Sequence, residues 1–230
     1  MEPGKGMGKL SEDRLKLTQR YFISSLKNQT DPDFKLFMFV GDENNETSKR
    51  IKGLDWGDLD VEFIHIPGGI PIKDFNVGRQ RWTPEGFDRS PEGLIRSHGH
   101  PMSSIMMRVD SDDWFVPGLI AHIKRTAEEI KDSDFIINYR ITIQDKFGLL
   151  YKFHSPHTRD RTSAYIVLVQ RGEQKKSPYE TNHTKMGRRF PAVYSVPPGY
   201  IFVVIHAENR INKLRHDKIL SATLDEGSNG

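Results

Sequence analysis

The sequence predicts an α/β fold: one domain on a mixed, mainly parallel sheet, flanked by helices and carrying a small antiparallel addition. Three observations lead to it. Early in the chain, a stretch of helical periodicity is followed by apolar runs of strand length. In the middle, the apolar run from Ser104 to Met107 gives way to three closely spaced carboxylates and then to an amphipathic helix. Toward the end, further strand-like runs follow in hairpin-like succession, the pattern of an antiparallel extension to a parallel sheet. With 230 residues, 36% of them hydrophobic, the chain can bury a single sizeable core.

In order, Ser11 is placed to cap a helix running to about Asn28, in which Leu15, Thr18, Phe22 and Leu26 recur at helical spacing. Asp31 and Pro32 end it. Lys35 to Val40 reads as a buried strand, the acidic GDENNET after it as a turn-rich connection, and Val61 to Ile66 as a second strand before Pro67-Gly68-Gly69. Ile70 to Pro101, rich in Gly, Pro, Arg and His without sustained periodicity, reads as a long functional excursion. Pro117 suits a first helical turn, and Leu119, Ile120, Ile123, Ala127 and Ile130 outline an amphipathic helix to about Lys131. Asp134 to Ile143, Leu149 to Phe153, Ala164 to Val169 and Ile201 to Ile205 supply the remaining strands. The domain is expected over 11–220, between a disordered-looking segment 1–10 and a flexible tail 221–230.

Lys plus Arg number 34 against 31 Asp plus Glu, so the net charge of +3 gives no reason to expect bulk nucleic-acid binding. The absence of cysteine excludes disulfides and thiolate-metal sites and fits an intracellular, cytoplasmic protein. No run approaches the roughly 18 to 20 apolar residues of a membrane span, and MEPGKGMGK lacks the apolar core of a signal peptide, so a soluble protein is expected.

The chemistry concentrates in SSIMMRVDSDDW. Asp110, Asp112 and Asp113 repel one another and resist burial, so placing them at the end of a core strand calls for a cation. Oxygen-rich sites of this kind suit Mn2+ or Mg2+, which fill their remaining positions with water and substrate phosphates and so imply a diphosphate-bearing substrate. The alternative is a solvated acidic turn whose Asp112 or Asp113 complements the dipole of the following helix. Arg108 lies two residues before Asp110, so alternation puts the two on one face, where Arg108 either pairs with the carboxylate or contacts donor phosphate.

RVDSDD after an apolar strand resembles the D-x-D motif of GT-A-fold, nucleotide-sugar-dependent glycosyltransferases, and its surroundings resemble the rhamnosyltransferase family in particular. The segments RYFISSLKNQTDPDFKLFMFVGDE, RVDSDDW, SPYETNHTKMG and FVVIHAENR fall in that family's order and cover most of Arg14 to Arg210. The resemblance implies a GT-A-like (Rossmann-like) fold and transfer of a sugar, rhamnose among the options, from a nucleotide diphosphate sugar donor to a hydroxyl of a carbohydrate or glycan acceptor. It further implies that Asp110 contacts the ribose or helps hold the metal, that Asp112 is the principal metal ligand, and that His206 matches the family's late metal-binding histidine. A strand-end histidine bonded to a neighbouring carbonyl is the other reading of His206. The family normally begins with a strand whose end helps bind the nucleotide base. MEPGKGMGK has no β-branched or aromatic residue to form one, so either the chain is truncated or the base is held differently.

Glu180 is the candidate base beside the acceptor hydroxyl, with His183 in the same loop to orient it or bind acceptor; the alternative is a solvated loop residue. Between Arg171 and Arg189 six basic residues, Arg188 and Arg189 among them, face two glutamates, either to stabilise the leaving diphosphate or as a solvated loop. Arg79, Arg81, Trp82, Arg89, Arg96, His98 and His100 in the excursion are candidate donor and acceptor contacts, the two histidines having polar surface as their other reading, and Trp114 is expected to pack in the core. Two rival functions share these features: a metal-dependent phosphohydrolase, and a non-catalytic carbohydrate-binding protein on the same scaffold. The oligomeric state is left open.

Overall fold

A computed structural model describes residues 12–66, 104–145, 150–152, 162–163, 165–172, 178 and 183–205. The excursion 70–101, the segment 1–10 and the tail 221–230 lie outside the described residues.

The first helix runs as expected to Lys27, in three consecutive stretches: α1 (Glu12–Leu17), a π-helical stretch (Thr18–Ile23) and α2 (Ser24–Lys27). Leu15, Thr18, Phe22 and Leu26 are all buried, as their spacing requires. The wider π turn is supported from outside: Gln19 accepts from the Asp55 amide (2.9 Å) and donates to the Asp55 carbonyl (3.1 Å).

β1 (Leu36–Val40) and β2 (Val61–His65) pair in parallel, Leu36 opposite Val61 and Val40 opposite His65. Between them lies α3 (Glu46–Lys52), which begins at the end of the expected turn-rich GDENNET and runs on past it. Its signals are short but orthodox: the Asn45 side chain caps the Thr47 amide, Glu46 opens the helix, and Lys49, Arg50 and Lys52 close it.

The remaining strands are β3 (Ile105–Met107), β4 (Trp114–Phe115), β5 (Asp134–Asp145), β6 (Leu150–Lys152), β7 (Ile166–Gln170) and β8 (Ala192–Ile205), with helix α4 (Leu119–Glu129) and a 3-10 helix (His183–Arg189). They form one sheet in the order β3-β7-β5-β8-β4, with β6 on β5. The α/β class holds, and the sheet is mixed. It is not mainly parallel: β5–β8 is a parallel pairing, whereas β3–β7, β5–β7, β5–β6 and β4–β8 are antiparallel. The reason is β7, buried at every position and wedged between β3 and β5. A continuous apolar run tells that both faces are covered, not which way the neighbours run.

β8 is longer than the expected Ile201–Ile205 because it passes through Pro197-Pro198-Gly199, a sequence that reads as a turn. The register jumps there, from Tyr139 opposite Val196 to Ile141 opposite Ile201. Prolines have no N–H for a ladder, and an irregularity is where a sheet tolerates them; Gly199 supplies the positive φ of 121° at that point.

The sheet buries both faces. Phe135, Ile137, Tyr139, Val167 and Val203 join Phe22, Phe115 and Leu119 in the main core, which also takes in Leu36 and Trp56 from around the β1–α3–β2 unit. Ile136, Ile166 and Leu168 face the other way, against Met186 and Phe190. Among the described residues, no helix is long and apolar enough to cross a membrane.

Candidate functional site

Two antiparallel steps relate β3 to β5 through β7, and β8 is parallel to β5, so β3, β5 and β8 share one direction. The acidic turn leaves the carboxyl end of β3. It also meets the carboxyl end of β8, because the Val204 amide donates to Asp113 Oδ1 (2.9 Å) and β4 pairs Trp114 with Phe202. Ligands of open α/β sheets bind at such an edge, where side chains leave the sheet without blocking its core.

The helices hold this edge from one side. Gln29 is buried at the end of the first helical run; its Nε2 donates to the Val116 carbonyl (2.8 Å) and its Oε1 accepts from the Ile120 amide (3.1 Å) at the start of α4. The Thr30 amide donates to the Pro117 carbonyl (2.8 Å). These bonds fasten the run that carries Arg14 to the segment just after the acidic turn.

Within the turn the three carboxylates differ. Asp110 is about half exposed and pairs with Arg108 at 3.5 Å, the partner that strand alternation puts on its face. Asp112 is 6% exposed and pairs through Oδ2 with the Arg14 guanidinium at 3.5 Å. Asp113 is 2% exposed, and its carboxyl is pushed well above the usual range, chiefly by burial and then by the charges of Asp112 and Asp110. The Val204 amide and Arg14 pull the other way without offsetting this. Among the described residues, Arg14 and Arg108 are thus each paired with one carboxylate of the turn, while Asp113 is held by a backbone amide.

The oxygen donors of the turn, the half-exposed Asp110 and the buried Asp112, are hard ligands suited to Mg2+ or Mn2+, which are commonly held by one or two carboxylates. Among the described residues, no group of three His, Asp or Glu side chains is disposed to hold a metal ion. His206, the expected third ligand, lies outside the described residues, as do Glu180 and the basic and aromatic residues of the excursion.

Arg188 and Arg189 belong to the 3-10 helix that leads into the amino end of β8. Most of that 14-residue strand separates them from Val204 and the acidic turn, so the structure does not bring them to Asp112. His183 opens the same short helix. Of the basic run, Arg171 serves the architecture, since its guanidinium donates to the carbonyls of Ala127 and Ile130 at the end of α4 and lies over the Phe135 ring. Trp114, expected in the core, is only partly buried and stands outside the core clusters; it stacks on Phe202 at 4.0 Å and donates its indole N–H to Gln144.

Arg14 is the site residue that sequence patterns did not reveal. One signal was present: a cation in the first turn of a helix opposes the macrodipole, and such a residue is explained by an anionic partner outside the helix. No protein-family model matches the chain, and no curated protein matches it.

Proposed function

We propose that the chain is a metal-dependent glycosyltransferase of the GT-A type, transferring a sugar, rhamnose by family resemblance, from a nucleotide diphosphate sugar to a hydroxyl of a carbohydrate acceptor. The observation that supports this reading is the bond between Asp113 and Val204, which joins the D-x-D turn to the carboxyl end of β8. His206 is the next residue in sequence after that strand.

On this reading Asp110 and Asp112, with His206, hold Mn2+ or Mg2+. The bound cation supplies Lewis-acid stabilisation of the diphosphate leaving group, commonly worth several kcal/mol. Arg108 orients Asp110, and Asp113 fixes the turn against β8. His183 lies in the 3-10 helix that enters β8 at its other end and Glu180 lies outside the described residues, so the acid–base role is given to no described residue.

A thermal-shift panel of nucleoside diphosphates, with and without Mn2+, tests the proposal, since a ligand bound only by the folded state raises its melting temperature. A metal-dependent rise that Asp112→Ala abolishes is expected. Equal shifts in chelator and in Mn2+ overturn it. Release of inorganic phosphate from simple phosphate esters would favour a phosphohydrolase instead, and nucleotide-sugar binding without turnover across acceptors a binding protein.

A further inference from the structure

We infer that Arg14 is the resident counter-ion of the acidic turn, occupying the place of the divalent cation at Asp112 and giving it up when the cation binds. The inference rests on the metal-binding reading above and adds to it a residue outside the D-x-D motif.

The two partners differ in how freely they can move. The Asp112 side chain is 8% exposed and anchored in the turn, whereas that of Arg14 is 35% exposed on a long, flexible stem. A carboxylate this deeply placed is costly without a positive charge beside it, and the guanidinium supplies that charge from a remote part of the chain. A divalent ion on the same carboxylate would repel the guanidinium, so the two cations compete. Of the two side chains, that of Arg14 has the more room to move. The start of α1 has a second anchor in the ion pair of Glu12 with Arg50, so release of Arg14 need not free the helix. Arg108 is a weaker competitor, because the carboxylate it pairs with is half exposed and water can stand in for it.

Arg14→Met keeps the apolar stem and removes the charge. Titration with Mn2+ alone, following the spin-resonance signal of the free ion, is expected to give a dissociation constant about tenfold lower than for the wild type. Arg14→Lys, a more strongly hydrated and less directional cation, should fall between them and serves if the methionine variant folds poorly. Arg20→Met removes a charge from the same helical run but not this ion pair, and should leave the affinity unchanged. As a second readout, Arg14→Met should melt below the wild type in chelator and gain more from Mn2+. Equal or weaker Mn2+ binding by Arg14→Met, while the wild type binds, overturns the role given to Arg14 and leaves the metal site standing. No Mn2+ binding by either protein removes both.

Discussion

At the scale of single residues, Asp113 carries a testable cost. Its folded-state pKa is raised, first by burial and then by Asp112 and Asp110, so in the folded protein the proton is held more tightly than in the unfolded chain. Between the two pKa values the native state keeps a proton that the unfolded state has lost, and stability falls as pH rises, by about 1.4 kcal/mol per pH unit across that window. Asn keeps an oxygen that can accept the Val204 amide and cannot ionise. Asp113→Asn is therefore expected to melt at the same temperature as the wild type below about pH 4, where both states of the wild type are protonated, and progressively above it as pH rises. Melting curves across that range decide; a constant difference at every pH would mean that ionisation is not involved. The acids were legible in the sequence because an apolar strand running into carboxylates is a local pattern. Their partners were not, since the Arg14–Asp112 pair and the Val204–Asp113 bond join segments far apart in sequence and leave no spacing to read.

At the scale of elements, periodicity located the first helix, β1, β2, α4 and β5 to within two residues at most ends, because each has a long enough buried stripe. It failed where polar or turn-forming residues sit inside an element. α3 is seven residues long with one fully buried side chain, Ser48, so it has little apolar pattern. β8 contains Pro197-Pro198-Gly199, which only the register jump opposite Arg140 reconciles with a strand. Gly199 gives a direct test of that device. A Cβ there would meet nothing within 4 Å, yet φ is 121°, so the penalty of Gly199→Ala comes from the backbone alone. A loss of about 1–2 kcal/mol is expected in denaturant titrations, with an unchanged dependence on denaturant. An unaffected variant would show that the irregularity relaxes without strain.

Across the whole molecule, the class of fold was readable from the order of runs, but the direction of the strands was not. Apolar content says that β7 is covered on both sides; it does not say that β7 lies antiparallel between β3 and β5. The burial pattern predicts where opening is hardest. β7 is buried at every position, and Phe135 to Asn138 opposite it are fully enclosed. In native-state hydrogen exchange the amides of β7 and of this part of β5 should be the slowest of the described residues, with the β1–β2 pair faster. Faster exchange in β7 than in β1 would contradict the arrangement.

The position of β8 bears on how the chain acquires its shape during synthesis. β8 enters between β5 and β4, both of which leave the ribosome much earlier. Until β8 emerges, the side of β5 that receives it and the short β4 are two open borders, each backed by apolar side chains such as Ile137 and Phe115. Unpaired borders of this kind invite association with other nascent chains. Pairing with β8 closes both borders at once, so these borders are covered only when that late strand is in place.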